Sequence, residues 1–149
     1  MLKINFNNYV RGADRALVRS AINFFLDELL PGKKGENTHL EVRFVRLRGA
    51  QGFCQIHEDE TNEYYPRMFS IEVCGGMPMK DVIETLAHEM VHLRQFRNRE
   101  LGHRNNYTLY RGKFYRPDLP YEKEPWEKEA YKLEKVLVEK FVAFTQQSE

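Results

Sequence analysis

His88-Glu89-Met90-Val91-His92 is the segment of this 149-residue chain whose residue types and spacing best suit metal chemistry. On a helix, positions i and i+4 lie one turn apart on the same face, so the two imidazoles point at one locus. A zinc ion bound there would take two nitrogens at ~2.0–2.1 Å. Glu89 is offset around the helix from that locus, so it reaches a metal-activated water more naturally than the metal. It could accept the water's proton and pass it to a leaving amine. Scattered at random, the chain's 5 histidines and its glutamates would produce H-E-x-x-H in roughly 2% of such sequences. The plain alternative is a solvated helix face that happens to carry two histidines. Lys, Glu and Arg would serve such a face better.

Catalytic zinc needs a third protein ligand and an open fourth position. The candidates are His103, eleven residues after His92 and next to Leu101-Gly102, and Glu127, Glu129 and Glu134 of the last helical segment. Helical phase does not separate Glu127 from Glu129, which fall about equally far to either side of that segment's apolar stripe.

The elements that must position these residues read as follows. Asp14 to Leu30 is helical, with Leu17, Ala21, Phe24, Phe25 and Leu29 on one stripe, and Pro31-Gly32 ends it. Lys33 to Asn37 reads as a loop. Leu40–Phe44, Phe53–Ile56 and a strand within Tyr64–Cys74 show period-two alternation and suggest a small, mainly antiparallel sheet. Pro78 to Asn98 is the longest clear helix, with Val82, Ile83, Leu86, Met90 and Leu93 as its apolar stripe. His88, His92 and Gln95 lie roughly opposite. Tyr107 to Tyr115 suits a hairpin around Arg111-Gly112. A final helix runs from Pro125 to about Phe144, with Trp126, Ala130, Leu133, Leu137 and Phe141 facing inward. The order of elements indicates an α+β fold in a single domain over residues 1–149.

His88-Glu89-Met90-Val91-His92-Leu93-Arg94-Gln95, the aromatic hairpin Tyr110-Arg111-Gly112-Lys113-Phe114-Tyr115, and Pro125-Trp126-Glu127-Lys128-Glu129-Ala130 occur in that order. This arrangement resembles small SprT-like metallopeptidases of the kind found in phage genomes, and zincins more widely. The resemblance covers about residues 78–135. It implies a zincin-like fold and a peptidase with one zinc per chain. In that arrangement the Glu ahead of Ala in a later helix completes a two-His-one-Glu site, which points to His88, His92 and Glu129 as ligands with Glu89 as general base. SprT and Spartan proteins proper use a later His in a Gly-His context, which Gly102-His103 matches at a shorter spacing. The C-x-x-C pairs of their zinc ribbon do not occur in this chain.

Composition narrows the setting. Hydrophobic residues make up 42% and charged residues 30%, an ordinary globular balance that excludes a disordered or fibrous chain. The net charge of +1 gives no general support for nucleic-acid binding. Arg94, Arg97, Arg99, Arg104, Arg111, Lys113 and Arg116 share a segment with a single acid, Glu100. That segment could meet nucleic acid or an acidic substrate, although a solvated surface is the plainer reading. No run approaches a membrane span, the first residues lack a signal-peptide core, and Cys54 and Cys74 suit reduced thiols; together these suggest a cytoplasmic protein. His39 and His57 read as structural. Tyr107, Tyr110, Tyr115 and Tyr121 fall between the motif and the last helix, where a hydroxyl could stabilise an oxyanion. The leading expectation is therefore a zinc-dependent peptidase acting on a protein or peptide. A non-catalytic zinc module and a Spartan-like protease acting on DNA-associated proteins are the alternatives.

Overall fold

In the computed structural model, which describes residues 1–147, the alternation Leu2-Lys3-Ile4-Asn5 forms a first strand, β1 (Leu2–Asn5). Helix α1 (Gly12–Leu29) and a single turn, α2 (Lys33–Glu36), then carry the chain across to β2 (His39–Val45). A helical crossover of this kind is what two parallel neighbours require, and β1 pairs with β2 in parallel, Leu2 opposite Leu40. β3 (Gly52–Ile56) and β4 (Met68–Cys74) complete a four-stranded sheet in the order β1-β2-β4-β3.

The fold is α+β, as the order of elements suggests, but this sheet is mixed rather than mainly antiparallel. β4 lies parallel to β2, and only β3 runs antiparallel, against β4. The reason lies in burial and in loop length. Phe69, Ser70, Ile71 and Val73 are all fully buried, so β4 belongs in the interior of the sheet. The connection from β3 to β4 is far longer than a tight hairpin loop, which lets β4 return between β2 and β3. β4 is therefore an interior strand, and β1 and β3 are the two edges of the sheet.

α3 (Met79–Arg97) runs through the centre, packed against α1, β3, β4 and the last helix, α4 (Pro125–Gln147). Its apolar residues Val82, Ile83, Leu86, Met90 and Leu93 are buried as their spacing implies. Glu89, His92 and Gln95 are buried too, so there is no solvated face opposite the stripe. α4 seats Trp126, Ala130, Leu137 and Phe141 in the same apolar core. Pro125 opens that helix at a first-turn position, where its missing N–H costs nothing.

Between these helices lies an antiparallel three-stranded meander, β5 (Leu101–Arg104), β6 (Tyr107–Tyr110) and β7 (Lys113–Tyr115). The β6–β7 turn is Arg111-Gly112, with φ of 48° and 80°, the left-handed pair that a tight two-residue hairpin needs. Glycine adopts that conformation freely and arginine does not. Arg111 is held there by ion pairs to Glu100 and Glu129. Among the described residues, no helix is long and apolar enough to cross a membrane.

Candidate metal centre

α3 and α4 face each other along a polar seam. On α3, His88 and His92 are one turn apart, with ring centroids 5.0 Å from each other. On α4, Glu127, Tyr131 and Glu134 sit at i, i+4 and i+7 and therefore share one face. The Glu127 carboxylate spans both imidazoles, with Oε1 2.9 Å from His88 Nε2 and Oε2 3.0 Å from His92 Nε2. Ligand atoms of His88, His92 and Glu127 all lie within 4.8 Å of one another, so this trio could hold a metal ion.

The third position beside the histidines is taken by Glu127, not by Glu129. Glu129 lies on the other side of the Trp126/Ala130 stripe, where Arg94 (2.6 Å), Gln95 (2.9 Å) and Arg111 converge on its carboxylate. Those two guanidiniums satisfy it better than a distant cation would. His103 lies on β5 opposite Thr108, exposed in the wall of the cleft, and is not part of the trio. The motif was legible in the sequence, whereas residue spacing alone left His103, Glu127, Glu129 and Glu134 open as the third partner. The i, i+4, i+7 stripe Glu127/Tyr131/Glu134 is the signal that would have separated Glu127 from Glu129.

Do these residues fit a metal? His92 Nε2 is buried and has no hydrogen-bond partner: Glu127 Oε2 is close, but not in hydrogen-bonding geometry. A buried ring nitrogen without a partner is costly unless something accepts its lone pair. Two imidazole nitrogens and one carboxylate form the donor set of an open zinc site, with the fourth position left free. The remaining nitrogens are already engaged, His88 Nδ1 3.1 Å from Glu134 Oε1 and His92 Nδ1 2.8 Å from Gln95 Oε1. That is the outer support metal-ligating histidines usually have.

Charge is concentrated here. Burial alone would lower the pKa of both histidines, but Glu127 and Glu89 outweigh it and both are raised above 6.5. Burial would likewise raise Glu127, but the two imidazoles hold its carboxyl well below the usual range. In the metal-free protein the raised histidine pKa values supply stability that is fully present below about pH 6.5 and is lost as pH rises through the folded values. A metal competes with those protons. We expect divalent-metal affinity to fall as pH is lowered, with the decline starting above pH 6.5. Titration of metal binding from pH 8 to pH 5 checks this, and a flat profile would rule out histidine ligation.

Glu89 lies next to the trio and is 7% exposed. Burial raises its pKa, assisted by Glu127 and Glu134 and opposed by His92 and His88. The trio and Glu89 line a cleft of about 750 Å³, together with the 49–54 segment, His103, Tyr121 and Tyr131. Tyr121 is thus the one tyrosine of the aromatic segment that comes to the trio. Its hydroxyl donates to Glu127 Oε1 at 3.0 Å and lies 3.0 Å from the Tyr131 hydroxyl. Tyr131, to which residue spacing alone assigned no role, places its ring 4.5 Å from that of His88, tilted 60° to it. Burial, with Glu89 nearby, pushes the Cys54 thiol well up, the opposite of the lowered pKa that activates a thiol.

At Gly52, β3 passes close against α3. A Cβ there would lie 2.7 Å from Thr85 Cγ2, 2.9 Å from the Glu72 carbonyl oxygen and 3.3 Å from Glu89 Cγ. The carbonyl is backbone and cannot step aside. Gly52→Ala should therefore cost roughly 1–3 kcal/mol of stability and displace Glu89. A lowered melting temperature checks the first effect. An unchanged melt would show that β3 is free to lift off α3.

Of the seven basic residues between Arg94 and Arg116, Arg94 and Arg111 are engaged with Glu100 and Glu129, and Arg97 donates to Thr38 Oγ1 at 3.0 Å. Compared with models of known families, with curated proteins and with solved structures, the chain matches none. The chemistry of the site therefore rests on its own geometry.

Proposed function

We propose that this chain is a metal-dependent peptidase in which His88, His92 and Glu127 hold one zinc ion and Glu89 is the general base. The observation that carries the reading is the convergence of this donor trio and a buried, unpaired carboxylate on the floor of one open cleft. Bound there, zinc would polarise a scissile carbonyl and lower the pKa of a water. Glu89 would take the proton of that water and deliver it to the nitrogen of the leaving amine. Its raised pKa helps both halves of this task, because the proton must be held between the two transfers.

β3 is an edge of its sheet, and its residues Gly52, Phe53 and Cys54 line the cleft. An extended peptide could pair with that free edge and lay its carbonyls across the trio. Tyr121 and Tyr131 also line the cleft, where a hydroxyl could donate to a developing oxyanion. Peptide or protein is the substrate class this geometry favours. A zinc module without catalysis would call for a closed set of four ligands. Among the described residues, only three candidate ligands meet.

The test is metal-dependent hydrolysis. Purified protein should carry about one equivalent of zinc and cleave a fluorescence-quenched, unstructured polypeptide. Chelation should abolish cleavage and zinc should restore it. Cleavage that survives complete chelation would overturn the proposal.

A further inference from the structure

Gln95 is fully buried, yet its side chain is polar and every one of its contacts is directional. Its amide nitrogen donates to the Trp126 carbonyl oxygen at 3.1 Å and to Glu129 Oε1 at 2.9 Å. Both partners can only accept, so the NH₂ end must face them. The amide oxygen is then left facing His92 Nδ1 at 2.8 Å, and only a protonated Nδ1 can satisfy it. With its proton fixed on Nδ1, a neutral His92 has its lone pair on Nε2. That is the buried nitrogen without a partner, beside Glu127.

Glu129 is what makes this orientation one-sided. Its carboxylate is held by Arg94 on α3 and by Arg111 on the hairpin turn. With Arg94, Arg111 and the Gln95 amide all donating to it, the Glu129 carboxylate serves here as an acceptor. We infer that Gln95 is a positioning residue that sets the tautomer and ring orientation of His92, and that Glu129, clamped by Arg94 and Arg111, aims Gln95. This rests on the metal reading given above and adds a role for the acid that does not touch the trio. It also links the β6–β7 hairpin to the metal centre through Arg111.

The test compares zinc affinity, by competition with a chelator, and the visible spectrum of the Co²⁺ form for the full chain and four variants. Gln95→Met keeps the volume and removes the directional contacts. Removing an outer partner of this kind typically costs 10–100-fold in metal affinity. We expect a loss of that size and a changed Co²⁺ spectrum, with a smaller loss in Glu129→Gln. Gln95→Glu should also bind weakly, because two carboxylates then face each other. The exchange variant Gln95→Glu/Glu129→Gln should recover part of the loss, since the new carboxylate can accept from both His92 and the new amide, while the Trp126 carbonyl oxygen loses its donor. A role in packing alone predicts no such recovery.

Wild-type affinity and spectrum in a folded Gln95→Met protein would overturn the inference. If Gln95→Met does not fold, Glu129→Gln decides instead: unchanged affinity there overturns it, and weakened affinity with recovery in the exchange variant supports it. Failure of the wild-type chain to bind zinc or Co²⁺ would remove the metal reading itself, a result distinct from tight binding in every variant.

Discussion

Replacing Glu89 with glutamine is expected to leave zinc and fold in place and to lower the rate of peptide hydrolysis by at least 10²–10⁴-fold, the usual cost of losing a general base. Glutamine has nearly the same shape, so the packing of Gly52 and Thr85 around that side chain should survive. What is lost is the capacity to take a proton. Glu89 is also buried without an ion pair, so removing its charge removes a desolvation penalty. The variant should be at least as stable as the wild type, and thermal melts alongside kinetic assays check both halves. Loss of zinc from Glu89→Gln would make Glu89 a ligand and would undo the division of labour proposed for the motif.

The second large effect concerns the two acids of the first turns of α4. Glu127→Ala should lower zinc stoichiometry from about one to near zero, because a two-imidazole site without its carboxylate retains too few ligands. It also leaves His88 Nε2 and His92 Nε2 without the group that spans them. Glu129→Ala should keep the stoichiometry at one and weaken affinity by less, since it acts only through Gln95. Metal analysis of the two variants side by side separates a ligand from a positioning residue. Full stoichiometry in Glu127→Ala with loss in Glu129→Ala would reverse the assignment.

Helical spacing made the motif helix and its two histidines legible, because i, i+4 geometry depends on the local backbone alone. The same logic placed α1, α4 and the Arg111-Gly112 hairpin within a few residues of their observed limits. What local spacing could not supply was pairing at a distance. Nothing in Leu40–Phe44 says whether its neighbour runs parallel, and the answer turned on β4 being an interior strand, paired on both sides. β1 and β5, four residues each, were too short to stand out. The choice between Glu127 and Glu129 failed for a related reason. Both flank the apolar stripe, and beyond the polar spacing Glu127/Tyr131/Glu134 it is the partners across the interface that distinguish them: imidazoles on one side, guanidiniums on the other. Gln95 was legible as a polar position on α3, but its role depends on the Trp126 carbonyl and Glu129, which the fold alone brings to it.

One metal ion is expected between α3 and α4, and anomalous scattering at the zinc edge from crystals grown with zinc locates it. The expected result is one strong peak at ~2.0–2.2 Å from His88 Nε2, His92 Nε2 and a Glu127 oxygen, open to the cleft on its fourth side. A peak coordinated by His103 or Glu129, or no peak at this trio in crystals saturated with zinc, would contradict it.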